Sequence, residues 1–193
     1  MRPPDVCLLS PPSKGVPPPL YARTPTARAG RVGSDRTMPP APLCPCSSGL
    51  RYRECCAPFH RGEAEPPDAE RLMRSRYSAF ALREVAWLWK TLHPSHPDRA
   101  RPQDEVLREL RAFAQAHQYP KLVVMDRREP DADGLAQVLF FAKVFEKGKD
   151  RSFVERSDFR HDGTGWRYLS GVALAPRELA VPPESLTLAT FPR

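Results

Sequence analysis

No stretch of this chain approaches the roughly 18 consecutive apolar residues of a membrane-spanning helix. The opening residues Met1-Arg2-Pro3-Pro4-Asp5-Val6-Cys7-Leu8-Leu9-Ser10 lack the apolar core of about 7–15 residues that a secretory signal carries. The expected compartment is therefore the cytoplasm, where reducing conditions disfavour disulfides. There is no P-loop, no G-x-G-x-x-G, no H-E-x-x-H and no G-x-S-x-G. The linear signatures of several enzyme classes are thus missing, although an enzyme with scattered polar residues would leave none. Cysteine is scarce, five in 193 residues, and four of the five fall between positions 44 and 56. Cys7 stands apart and reads as an ordinary free thiol.

Proline, by contrast, is abundant at 24 residues. Eight lie in residues 1–37, with six Lys/Arg against only Asp5 and Asp35. That segment has no hydrophobic periodicity and is expected to be disordered. The second expectation is that Met38, which opens the stretch just before the first organised motif, is the true start and residues 1–37 are a mis-annotated extension. The segment also carries +4 of the net charge of +7, leaving +3 for residues 38–193. Nucleic acid is accordingly not expected as a partner, despite the basic composition.

Helical periodicity begins after Pro66-Pro67, with Asp68 placed to cap. Met73, Tyr77, Phe80 and Ala81 form one apolar stripe; Val85, Leu88, Trp89 and Leu92 form a second after a bend near Arg83, stopped by His93-Pro94. Trp89 is assigned to the core and Trp87 to the surface. A third helix follows Pro102, with Val106, Leu107, Leu110, Phe113, Ala114 and His117 on its apolar face, and Tyr119-Pro120 ends it. Alternation of period two then predicts strands over 122–128, 136–146, 152–161 and 166–172, joined by short Gly/Asp turns. Helices first and strands afterwards indicate α+β. Three helices packed on a curved four-stranded antiparallel sheet are expected, with a loose tail from Pro176.

The cysteines form C-x-C-x8-C-C, through Cys44, Cys46, Cys55 and Cys56. In a reducing compartment this clustering indicates a metal, and four thiolates suit a closed structural zinc site. Pro45 fixes the chain between the first two, and Gly49 allows it to reverse. Cys56 is the preferred fourth ligand; His60 is close enough in sequence to replace it. Arg51, Arg53 and Arg61 supply positive charge nearby.

Cys44-Pro45-Cys46-Ser47-Ser48-Gly49…Cys55-Cys56 resembles the SEC-C motif, the zinc-binding tail of the bacterial preprotein translocase ATPase. The similarity continues through Cys56-Ala57-Pro58-Phe59-His60, Leu72-Met73-Arg74-Ser75-Arg76-Tyr77-Ser78-Ala79-Phe80 and Leu92-His93-Pro94-Ser95. Glu155-Arg156-Ser157-Asp158-Phe159 and Asp162-Gly163…Trp166-Arg167-Tyr168 extend it. In order and spacing these segments resemble the YchJ family of SEC-C-containing bacterial proteins. The resemblance implies an NTF2-like, cystatin-like cone over 66–175 behind a zinc knuckle over 38–65. Many members carry a second SEC-C motif at the C-terminus; residues 176–193 contain no cysteine, so a function needing two zinc modules is not expected. The resemblance supplies fold and metal but no reaction.

The polar residues that stand out in the domain are Arg76, Tyr77, His93, Glu155 and Arg156. Glu155 and Arg156 must face opposite sides of their strand, and a Glu155–Arg76 pair between sheet and helix is the structural expectation. Tyr77, His93 and Glu155 are the candidates for acid or base chemistry in a cone pocket. His93 also suits an ordinary helix C-terminal role, and His117 that of a satisfied core histidine. The leading functional expectation is a zinc-binding adaptor that meets a protein partner through the knuckle and holds a small ligand in the cone. A small-molecule enzyme is the alternative, nucleic-acid binding the second, and no membrane is involved.

Overall fold

The computed structural model describes residues 42–192. The proline-rich segment over 1–37, Met38 and Cys7 lie outside the described residues.

Helix α1 (Ala57–His60) is a single turn that leads out of the cysteine motif. Helix α2 (Ala69–Leu82) begins at Asp68, whose carboxylate accepts from the Arg71 amide at 2.7 Å. This is the side-chain cap expected of an aspartate at a helix start. The helix ends at Arg83, in the left-handed conformation at φ 65°, which supplies the anticipated bend. Helix α3 (Val85–Lys90) is shorter than its apolar pattern predicts. Residues 91–93 leave the helix to pair with a strand: the Tyr168 amide donates to Thr91 O at 2.9 Å and the His93 amide to Tyr168 O at 2.8 Å.

Trp87 is placed opposite to expectation, while Trp89 packs against the core but is only partly buried. Trp87 is buried, its Nε1 donating to Ser75 Oγ at 2.9 Å. Trp89 is half-buried beneath the Arg99 guanidinium, 4.6 Å from its ring centre. Helix α3 is too short for the extended stripe to set its facing. Its turn toward α2 gives the Trp87 indole N–H a buried acceptor.

Helix α4 (Gln103–Ala116) buries Val106, Leu110 and Ala114. Strand β1 (His117–Arg128) follows without a loop, so it starts before Tyr119-Pro120 and not after it. Pro120 has no N–H for the ladder, and the register slips between Gln118 and Lys121. His117 is satisfied, as expected, by donating from Nδ1 to Phe113 O at 2.8 Å, but it is half-buried at the head of the strand.

Strand β2 (Leu135–Glu146) pairs with β1, and β4 (Phe153–His161) and β5 (Trp166–Leu174) complete an antiparallel sheet in the order β1-β2-β4-β5. The two-residue β3 (Lys149–Asp150) pairs only with the end of β2. Lys147 and Gly148 between them both take positive φ, 49° and 78°, the geometry of a tight hairpin turn. The helices cover one face of this sheet with a core including Leu72, Met73, Phe80, Leu88, Phe140 and Phe159.

The tail expected to be loose covers the other face. Leu186, Leu188 and Phe191 are buried against Leu139 and Val154, and the Leu188 amide donates to Asp126 Oδ2 at 2.8 Å. Leu139 and Val154 alternate outward from the helix-covered face, so the strands are apolar on both sides and need a second cover.

Candidate metal centre

Pro45 sits between Cys44 and Cys46, and the following chain reverses through Ser47 (φ 58°) and Gly49 (φ 78°). Positive φ suits glycine at no steric cost; Ser47 holds it while its hydroxyl accepts from the Leu122 amide of β1 at 3.0 Å. The Cys44 amide donates to Leu50 O at 2.8 Å and closes the loop, with Leu43 bridged to Arg51. A 3₁₀ turn at Tyr52–Glu54 then delivers Cys55, and Cys56 opens α1.

All four cysteines are buried, and their sulfurs lie within 4.8 Å of one another. Cys46 Sγ is 3.5 Å from Cys55 Sγ, which is 3.8 Å from Cys56 Sγ. Ser48 Oγ stands 3.2 Å from Cys55 Sγ, and Ser78 Oγ of α2 stands 3.5 Å from Cys44 Sγ. Hydrogen bonds from Cys46 and Cys56 hold the Cys44 thiol far below its ordinary range, while sharing that charge pushes Cys46 up to about 11 and Cys56 up as well. Such a set of thiols can hold a metal ion.

His60 stands outside the cluster. Its Nε2 donates to Ser75 O at 2.9 Å, and its Nδ1 accepts from the Tyr52 hydroxyl at 2.9 Å. Burial lowers its pKa, which favours the neutral ring this arrangement requires. The knuckle is thereby tied to α2, and Arg74 adds a bond from Nη1 to Cys46 O at 3.0 Å. Two of the three arginines expected to serve the cluster pair elsewhere: Arg53 with Glu54 and Arg61 with Glu63, all exposed. Arg74, Ser75, Ser78 and Trp87 were not legible as parts of this site. Ser75 and Ser78 carried a signal, being small polar residues three apart on a stripe that helix α2 buries.

The candidates for acid or base chemistry do not share the cavity found among the described residues. Tyr77 is buried, its hydroxyl donating to Lys143 O at 3.4 Å, and burial raises its pKa. His93 is half-buried, with Nδ1 accepting from the Ser95 amide at 3.1 Å, and desolvation lowers its pKa. Glu155 is fully buried and accepts from Ser157 Oγ. Arg156 faces the other way, over the Phe191 ring at 5.7 Å. Arg76 is also fully buried, its guanidinium 4.9 Å over the Tyr168 ring and its Nη1 donating to Leu88 O at 2.7 Å. Glu155 Oε1 and the hydroxyl of the same tyrosine both lie beside Gly171. A Cβ on Gly171 would lie 2.5 Å from Glu155 Oε1 and 2.7 Å from Tyr168 Oη. Arg76 and Glu155 thus share one buried polar cluster between helix and sheet.

A family model described as YchJ, middle NTF2-like domain, matches residues 68–171. The chain belongs to the YchJ family. It is 39% identical over 129 residues to the UPF0225 protein YchJ of Shigella dysenteriae serotype 1 (strain Sd197), covering 67% of this chain and 82% of that one. Among solved structures it is similar to a SEC-C motif containing protein from Rhodopseudomonas palustris, at a TM-score of 0.58 and 29% identity. That match covers 68% of this chain and 98% of the other. A SEC-C motif containing protein from Psychrobacter arcticus gives a TM-score of 0.57 at 26% identity, covering 66% and 80%. The NTF2-like α+β fold and the SEC-C cysteine motif are both accounted for by this family. No helix among the described residues is long and apolar enough to cross a membrane.

Proposed function

We propose that the cysteine cluster binds one zinc ion and that the knuckle so formed is a docking module for a protein partner. The carrying observation is the convergence of four buried cysteine sulfurs within 4.8 Å. Zinc–sulfur bonds of about 2.3 Å set tetrahedral sulfurs about 3.8 Å apart, and the Cys55–Cys56 sulfur separation is 3.8 Å. Four thiolates from the protein leave no open position for a substrate, so the ion's contribution is to fix the loop.

What the loop then presents supports the docking role. Leu43 and Leu50 are 65% and 46% exposed on the two adjoining segments joined by the Leu43–Arg51 bridge, with Arg51 and Arg53 also exposed. An apolar pair edged by positive charge, held on a closed metal site, suits partner contact better than chemistry.

Metal analysis of the purified full chain is expected to give one zinc per chain, lost in Cys44→Ser/Cys46→Ser. Affinity capture with a Leu43→Glu/Leu50→Glu variant is expected to keep the zinc and lose a partner that the unaltered chain retains. A zinc-free reduced protein would refute the metal assignment. Identical captured partners in both proteins would refute the docking role alone.

A further inference from the structure

Four thiolates carry more negative charge than one divalent ion cancels. In this protein the excess is buried, for none of Cys44, Cys46, Cys55 and Cys56 is more than 4% exposed. Buried charge has to be met by hydrogen-bond donors or by opposite charge. The knuckle supplies one donor itself. Ser48 Oγ accepts from the Leu50 amide at 3.3 Å, which leaves its proton for Cys55 Sγ at 3.2 Å. Further donors come from across the interface with the cone.

Helix α2 turns Arg74 and Ser78, four residues apart and so on one face, toward the cysteine loop. Ser75, on the same face, gives its hydroxyl proton to Leu72 O at 2.7 Å, the usual back-bond of a helical serine. Ser78 differs. Its Oγ lies 3.5 Å from Cys44 Sγ, and a metal-bound thiolate only accepts, so the hydroxyl is the donor. Ser78 is fully buried, so water cannot take its place. Arg74 Nη1 donates to Cys46 O at 3.0 Å and brings its guanidinium against the same loop.

We propose that Ser78 and Arg74 are positioning residues of the metal site, so that retention of zinc is set by helix α2 of the cone as well as by the cysteine loop. The inference rests on zinc occupying the cysteine cluster. Ser78 orients the Cys44 sulfur and draws off part of its charge, while Arg74 fixes the backbone that carries Cys46. Partners of this kind, one bond removed from the ion, typically contribute about 10–100-fold in metal affinity. The knuckle is then not a self-contained metal module, since its outer ring of donors is completed by the domain behind it.

The test uses the full chain, loaded with zinc for competition against a chromogenic chelator and with cobalt for absorption spectroscopy. Ser78→Ala removes one hydroxyl from a helix that alanine favours. It is expected to lose zinc at about tenfold lower chelator concentration. Its sulfur-to-cobalt charge-transfer band is expected at longer wavelength, because a sulfur without its hydrogen bond holds its electrons less tightly. Arg74→Gln is expected to weaken zinc retention with the band unmoved, since its bond is to a carbonyl. Ser75→Ala, which removes a hydroxyl from the same face without touching a sulfur, is expected to lower stability and leave the band in place. Zinc retention and a band in Ser78→Ala equal to those of the unaltered chain would overturn the role of Ser78, and so would an equal band shift in Ser75→Ala. If Ser78→Ala does not fold, unchanged retention in Arg74→Gln overturns the dependence on α2 by itself. An unaltered chain that takes up neither zinc nor cobalt would refute the zinc assignment, a different result from a metal-bound chain indifferent to α2.

Discussion

His60 is bound to Ser75: its Nε2 donates to the main-chain carbonyl of α2 at 2.9 Å, across fifteen residues of sequence. With Nδ1 held by Tyr52, the ring orients the knuckle and has no lone pair left for an ion. His60→Gln is expected to retain the metal, and the cobalt-substituted protein to keep an all-sulfur absorption spectrum. Leaving the buried partners unsatisfied should cost about 1–3 kcal/mol, a fall in Tm of roughly 2–4 °C per kcal/mol for a chain of this size. Cys56→Ser should alter the cobalt spectrum. The reverse pattern would make His60 the fourth ligand.

Arg76 lies over the Tyr168 ring from the helix side, and Glu155 lies beside Gly171 where the hydroxyl of that tyrosine also sits, both fully buried. Removing one charge from such a cluster leaves the other uncompensated, at a cost of about 3–5 kcal/mol. Arg76→Met and Glu155→Leu are each expected to destabilise the fold on that scale in urea denaturation. The double variant should cost less than the sum of the two. Additivity would show that the two side chains are energetically independent.

His96 gives the fold a sensitivity to mild acid. Its ring is buried, and desolvation is the largest cause lowering its pKa to about 4, reinforced by Arg76 and Arg99 and opposed by Asp98. An unfolded histidine titrates near 6.5, so protonation favours the unfolded chain. The contribution is intact above about pH 6.5 and is lost as pH falls toward 4, by at most about 1.4 kcal/mol per pH unit. His96→Gln is expected to flatten the stability profile between about pH 6.5 and 5, measured by urea denaturation. An unchanged slope there would remove His96 as its source.

Leu186 and Leu188 are anchors and not tail residues. Leu186→Ala is expected to destabilise by about 2–3 kcal/mol, the lower part of the range for buried leucine truncation. A loss within about 0.5 kcal/mol, the range of ordinary surface changes, would mean that the segment is not held against the sheet.

Much of this architecture is written in local patterns. The Asp68 cap, the break at Arg83 and the β2–β4–β5 hairpins follow from residue types and periodicity that act over a few positions. The cysteine cluster is legible because four rare residues share one short loop. What escaped the sequence is set by distant partners. Trp87 is buried because Ser75, twelve positions earlier, offers it an acceptor, and α3 ends early because Tyr168 pairs with Thr91 and His93. The packing of the tail escaped for a similar reason. Leu186, Leu188 and Phe191 have no periodicity of their own, and their partner face became visible only when Leu139 and Val154 were seen to lie outward.

The strap over the outer face also decides what a shortened chain would become. A protein ending after Leu174 would possess every strand of the sheet, yet Leu139 and Val154 would lie bare without Leu186, Leu188 and Phe191. An apolar sheet face left open to water invites neighbouring chains. Proteolytic loss of this short segment would therefore register as aggregation of a protein whose strands are all intact.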